Sequence, residues 1–410
     1  MSNRIRALAG LVVVVLSGAC ATDPRGEPPD PTRLHYPSGI ALDPGGDYAY
    51  VVSTNFDSAY TGGTVVPVNL STQLLEPQGA IEVGGFGGDL VLAQPAAGGL
   101  VGFVASREKG RLETFAIDRS SGGPVLACGP RDGEWPFQCD DEHVIKDVDA
   151  EPPNEDPIRA PGDDPYAVAL GQGVPGGGPL LYLASIEDGI FTVMTLDEGM
   201  KPQVSMAAEL SGGLHSIAEG GLVNGRRRVY VSNRYYPLIH VVDVGCPASG
   251  GACEVVTQAS LGITQITSSG DYFRGLAVSR DQRMLFAVRR SPPALAVFDL
   301  AEDGTALERG LVALQGAPAN VALLSRGGDR ADLAYVTDYA RDSIYCVDPE
   351  TMNVVDHFQV ADGPYGIAIG NDPSGLLPRA YVTAFEDDLL SVVDLDPNSP
   401  SWHQEIARIK

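Results

Sequence analysis

One pattern runs through this chain seven times. Its passes begin at Pro37, Gly87, Asp164, Gly213, Phe273, Pro318 and Pro364, and the last reads "PYGIAIGNDPSGLLPRAYVT". Each pass has a short apolar stretch ending in Ala, a turn rich in Gly, Asp and Pro, "YV" with a small polar residue, a polar loop, then "VVD". Period-2 apolar stretches bounded by turn residues are strands. The terminal Asn or Asp of the third strand acts as a ruler, falling at Asn69, Asp118, Asp197, Asp243, Asp299, Asp348 and Asp394, in steps of 49, 79, 46, 56, 49 and 46 residues. The step of 79 holds an acidic insertion at about 130–163, and without it the period is regular. A fourth, outer strand follows most passes, as in "NVVDHFQV" and "HQEIARIK". Four short strands in each unit of 45–50 residues are the form of a β-propeller blade, whose faces are buried only by its neighbours. The expectation is an all-β, seven-bladed propeller over residues 34–410. Eight blades follow if the insertion hides a degenerate one, and six if the second is irregular.

The tetrapeptides "YVVS", "YVSN" and "YVTD", each followed by a polar loop and "VVD", resemble the YVTN-type bacterial β-propeller repeat of surface-layer and periplasmic proteins. That group is related to quinoprotein and lactonase-like propellers. The resemblance implies a fold and no activity, because the matching positions are structural: Tyr and Val pack between blades, and Asp closes a turn. No WD dipeptide occurs and only two Trp exist, Trp135 and Trp402, which argues against WD40 repeats and tryptophan-docked quinone sites.

The amino terminus reads as an address. "MSNRIRALAGLVVVVLSGACATDP" has two arginines, an apolar run too short to span a bilayer, and small residues ending at Cys20. "LSGAC" resembles the bacterial lipobox, which implies a signal peptide over 1–19, a lipidated Cys20 and an outer-membrane lipoprotein. Ser17 stands where that motif usually has Leu. Ala19-Cys20-Ala21 equally fits ordinary signal cleavage, which would release a periplasmic or secreted protein. The Pro-rich residues 20–33 are expected to form a tether outside the fold. Cys128 and Cys139, and Cys246 and Cys253, are expected to form two local disulfides in an oxidising compartment, leaving Cys346 as a buried thiol.

Charge excludes one partner class. With 53 acidic against 28 basic residues and a net charge of -25, the surface repels phosphate backbones, so no nucleic acid is expected. Arg226-Arg227-Arg228 borders a strand and reads as a solvated turn.

Propeller ligands meet the mouth of the central channel. Aligning the first strands places Ser38, Asp89, Tyr166, His215, Arg274, Ala319 and Tyr365 at equivalent positions. Such a ring could hold an anionic or planar small molecule, with Arg274 as charge partner and the tyrosines as walls. A wet channel needs polar lining in any case, so a solvated pore is the competing reading. No two of the six histidines have ligand spacing, and no G-x-S-x-G, P-loop or H-E-x-x-H motif occurs. Residues 130–164 carry twelve carboxylates against three basic side chains, which suit a solvated, partly disordered loop, a Ca2+ site without the EF-hand pattern, or a protein-binding arm. Two functions are therefore carried forward. One is a lipid-anchored module binding a protein or small molecule through its loops. The other is a lactonase- or quinoprotein-related enzyme with a metal or small-molecule site at the channel mouth.

Overall fold

The computed structural model describes residues 26–120, 122–131, 135–150, 158–247, 251–262 and 271–410. Seven small antiparallel sheets form a closed ring, each beginning with one of the seven sequence passes. The innermost strands are Pro37–Leu42, Gly87–Ala93, Pro165–Gly171, Leu214–Val223, Phe273–Val278, Pro318–Leu324 and Pro364–Asn371, and each touches the next around the ring, the seventh touching the first. Chain order runs from the channel outward in every blade. The expected outer strands are present as Asn353–Gln359 and Glu405–Ile409.

Seven apolar clusters hold the ring together, one between each pair of neighbouring blades. The repeat tyrosines Tyr50, Tyr182, Tyr230, Tyr335 and Tyr381 are all but fully buried in them. Burying such a side chain contributes roughly 1.5–3 kcal/mol, and a blade alone could not supply it. Hydroxyls on second strands reach the inner strand of the next blade: Ser232, Thr337 and Thr383 donate to the carbonyls of Arg274, Tyr365 and Ser38, at 2.7, 3.0 and 3.0 Å. The small polar residue after "YV" is thus an interblade latch. The glycine of "YGI" has a matching cause, since a Cβ on Gly366 would lie 2.1 Å from the Ser38 carbonyl oxygen.

The two ends of the propeller meet without sharing a sheet. Blade 7 takes all four strands from residues 364–409, and the ring closes by packing: Leu34 lies fully buried in one cluster with Leu390, Val392 and Ile409.

Two other expectations are corrected. The described part of the tether is not a free spacer. Pro29 and Pro31 are buried against the body, and Glu27 bridges to Tyr60 of blade 1. The insertion is stitched in, since Phe137–Gln138 adds a parallel strand to the outer edge of blade 1 and Val144–Ile145 pairs with the third strand of blade 2. Its remaining strands, Val148–Ala150 and Ile158–Ala160, form a separate hairpin, while residues 151–157 lie outside the described set. Both expected disulfides, Cys128–Cys139 and Cys246–Cys253, are formed, and Cys346 is free and buried. Disulfides of this kind belong to an extracytoplasmic compartment.

Candidate functional site

All seven inner strands carry the same irregularity. One extra residue sits between the first pairing and the next, as between Pro37 and Ile40 or Pro165 and Ala167. A bulge re-aims the side chain it displaces. The displaced second position holds Ser38, Gly88, Tyr166, His215, Arg274, Ala319 and Tyr365. Asp89 is therefore one place out of the expected alignment: Gly87 pairs with Ser106 as Pro165 pairs with Ser185, which makes Gly88 the equivalent. Asp89 still belongs to the channel, where the scarcity of water around it pushes its carboxyl up to about 7.

The other predicted residues come together, Ala319 apart. The Tyr166 and Tyr365 hydroxyls are 2.6 Å apart across the channel. The His215 ring packs on Tyr166 with centroids 4.6 Å apart, and Arg274 Nη1 donates to His215 Nε2 at 2.7 Å. That bond puts the ring proton on Nδ1. Burial, and then the charge of Arg274, hold His215 well below the usual histidine range, so it is a neutral imidazole. Burial also pushes Tyr166 well above its ordinary value.

Arg274 donates through Nη2 to Asp271, and the same carboxylate lies 3.7 Å from Arg234 Nε and 3.8 Å from Arg290 Nε. Three guanidinium groups thus share one carboxylate. Burial, then repulsion from Arg274, pulls Arg290 below its ordinary value. Among the described residues nine buried side-chain polar atoms lack a hydrogen-bond partner, and four of them, His215 Nδ1, Arg234 Nε, Asp271 Oδ1 and Arg274 Nε, lie in this one network. Buried donors without partners are rare, and their concentration marks a place for a guest.

A cavity of about 290 Å³ opens beside the network, lined by Ser38, Arg107, Tyr166, Arg274, Arg290 and Tyr365 among others. Its remaining wall is aromatic: Phe56, Phe86, Tyr339 and Phe385. Phe86 and neighbouring Tyr36 hold left-handed backbone, with φ of 53° and 49°. Bulky side chains rarely adopt that conformation, and it is retained where the surroundings impose it. A second hollow of about 710 Å³ continues sideways under the insertion hairpin and shares Phe56, Phe86 and Arg107 with the first.

Sequence reasoning missed Arg107, Arg234, Arg290, Tyr339 and Phe385. All five occupy one repeat position, the residue immediately after the second strand, where the other blades have Thr54 and Ile186. Aligning the fifth residue of each "YVTx" unit would have found them, because second strands end at the same rim where first strands begin.

Among its described residues the insertion gathers no set of metal ligands. Asp140 accepts from His143 Nδ1 and from backbone amides, Asp141 pairs with Lys146, and among the described residues no group of three His, Cys, Asp or Glu side chains could hold an ion. The donor set for a Ca2+ site or a metal at the mouth is therefore missing from the described residues. Cys20 lies outside them.

No family model matches the sequence, and no curated protein matches it either. Solved structures do resemble the fold. The periplasmic gluconolactonase of Pseudomonas aeruginosa has a TM-score of 0.61 at 16% identity, covering 88% of this chain and 96% of that one. A putative 6-phosphogluconolactonase of Bacteroides fragilis has a TM-score of 0.59 at 15% identity, covering 91% and 94%. Virginiamycin B lyase of Staphylococcus aureus has a TM-score of 0.50 at 12% identity, covering 88% and 94%. At such identities the likeness establishes a bacterial β-propeller fold.

Proposed function

We propose that the channel mouth is the active site of an extracytoplasmic enzyme that hydrolyses a small ring compound to an anion, with a lactone as the best-matched substrate class. The observation that carries this reading is the cluster of Arg234, Arg274 and Arg290 around a single Asp271 in a chain of net charge -25. Buried cationic excess is costly unless an anion completes it. The aromatic wall suits the faces of a ring, and the cavity of about 290 Å³ suits a small molecule.

Ring opening needs a base for water and donors for the oxyanion that forms at the carbonyl. The base role is assigned to Asp89, which lies on the inner strand of blade 2, close enough to Tyr166 to act on it by charge, with a carboxyl that burial raises to about 7. Arg274 and the Tyr166–Tyr365 hydroxyl pair are the donors for the oxyanion. As the ring C–O bond breaks, the proton held by Asp89 passes to the ring oxygen, and the new carboxylic acid gives its own proton to solvent, leaving a carboxylate that the arginines also accommodate. His215 is not the base: its Nε2 is occupied by Arg274, so it positions that guanidinium. Two of the similar folds carry lactonase names, which supports the reading only as analogy. The alternative, a binding module, uses the same anion site without turnover.

The test is hydrolysis of glucono-1,5-lactone followed by proton release at constant pH, with calorimetric titration of gluconate beside it. Turnover above the spontaneous rate, reduced at least about 30-fold in Arg274→Ala, is the expected result, since losing a buried charged partner costs roughly 2–5 kcal/mol. Gluconate binding without turnover would favour the binding module, and neither signal would overturn the anion site. For the chain's address we propose the lipoprotein reading, with lipid on Cys20 and outer-membrane attachment, supported by the "LSGAC" stretch and the disulfides.

A further inference from the structure

Residues 26–36 run along the rim of blade 1 at the mouth end of the channel. Glu27 bridges to Tyr60, Arg33 Nη2 donates to the Tyr60 hydroxyl, and His35 Nε2 lies 2.8 Å from Asp57. Tyr60 and Asp57 belong to the loop after the second strand, the same loop that carries Phe56 into the cavity. The Tyr36 amide then donates to Asp388 at 2.7 Å, in the corresponding loop of blade 7. The amino-terminal segment is thus fastened to the mouth face by several polar contacts, and buried Pro29 and Pro31 add apolar ones.

We propose that the anchored protein holds its channel mouth toward the membrane, so that the site draws its ligand from the layer next to the lipid surface. This rests on the lipid-anchor reading of Cys20 and is independent of the catalytic one. From Cys20 to Gly26 there are six residue steps, which reach at most about 20 Å when fully extended. The inner strands, six to ten residues at about 3.3 Å each, are roughly 20–30 Å long, and the turns at both ends make the body deeper still. A six-step leash starting from the mouth rim is too short to place the opposite face against the bilayer. The three most exposed aromatic side chains among the described residues lie on the mouth side, and Trp402, 37% exposed, lies on the other. Phe56, Tyr235 and Tyr236 stand 55%, 51% and 51% exposed on mouth-side loops, and amphipathic rings of this kind suit a lipid headgroup layer. The rim also carries exposed Glu108, Glu187, Glu386 and Asp387, so charge does not draw this face onto anionic lipid, and the leash sets the orientation.

The experiment uses full-length protein purified from membranes and reconstituted into phosphatidylcholine/phosphatidylglycerol vesicles containing a dansyl-headgroup lipid. In a Trp135→Phe, Trp402→Phe background, one tryptophan is placed at the mouth as Tyr236→Trp and another on the opposite face as Leu376→Trp, where the native side chain is 79% exposed. Energy transfer to dansyl at least about 3-fold stronger from the mouth position is expected, and about 20 Gly/Ser residues inserted before Gly26 should bring the two signals together. Equal or reversed transfer with the native leash would overturn the orientation. Cys20→Ser should abolish vesicle association. If it does not, or if the native protein fails to associate, the anchor reading falls and takes the orientation with it. Tyr236 faces blade 1 from across the ring, so a molecule lying on its side would also give the overturning pattern.

Discussion

The two ends of the channel use the same residue types in opposite ways. At the far end four arginines each have their own carboxylate: Arg228 with Asp243, Arg326 with Asp348, Arg379 with Asp394, Arg119 with Asp43. At the mouth three arginines share Asp271, and four polar atoms of that network make no hydrogen bond. The far-end pairs also finish the architecture, since Asp348 and Asp394 accept the amides of Glu350 and Asp396 and so close the turn after the third strand. Matched pairs are scaffold; an unmatched cluster is held in place by the scaffold for something else.

Breaking a far-end pair should produce the largest effect. Asp394→Ala strands the nearly buried Arg379 and frees the turn to Ser401, so denaturant unfolding should show a loss of about 3–5 kcal/mol. Anion binding at the mouth should be unchanged. A similar loss of binding would mean that the two ends are not separate. Arg274→Ala is the mirror case. Binding should fall by two orders of magnitude with stability held or raised, because repulsion on Arg290 is relieved.

Asp89 sharpens the comparison through pH. Its folded carboxyl titrates at about 7 and its unfolded one near 4, so between those values the folded state holds a proton that the unfolded state has released. Stability should therefore fall as pH rises from 4 to 7, by up to roughly 1.4 kcal/mol per unit, and Asp89→Asn should flatten that slope. Turnover should move the other way, rising through pH 7 as the base loses its proton. A stability curve unaltered by Asp89→Asn would remove the carboxyl from the base role. The smallest expected effect belongs to ring closure. Thr383→Val deletes the latch to Ser38 and to the Gly366 amide and should cost about 1–2 kcal/mol, leaving binding in place.

How much of this was legible in sequence differs between fold and site. Blade number, strand order and both disulfides follow from period and spacing, because each blade repeats the same local bargain between strand, turn and neighbour. The mouth was half legible. Tyr166, His215, Arg274 and Tyr365 share one strand position, whereas Arg107, Arg234, Arg290, Tyr339 and Phe385 share a loop position that the repeat does not mark by residue type. Asp89 went astray because a bulge of one residue leaves no trace in an apolar pattern.

Sequence alone determined the seven blades, since four strands in each period of 45–50 residues have no other way to bury both faces. Only the tertiary structure decided that three arginines meet one carboxylate, that His215 is a neutral acceptor, and that the amino-terminal segment is fastened at the mouth. Those facts depend on which side chains the closed ring brings within a few ångströms across hundreds of residues. Tyr166 and Tyr365, 199 apart in the chain, touch only because the seventh blade packs on the first.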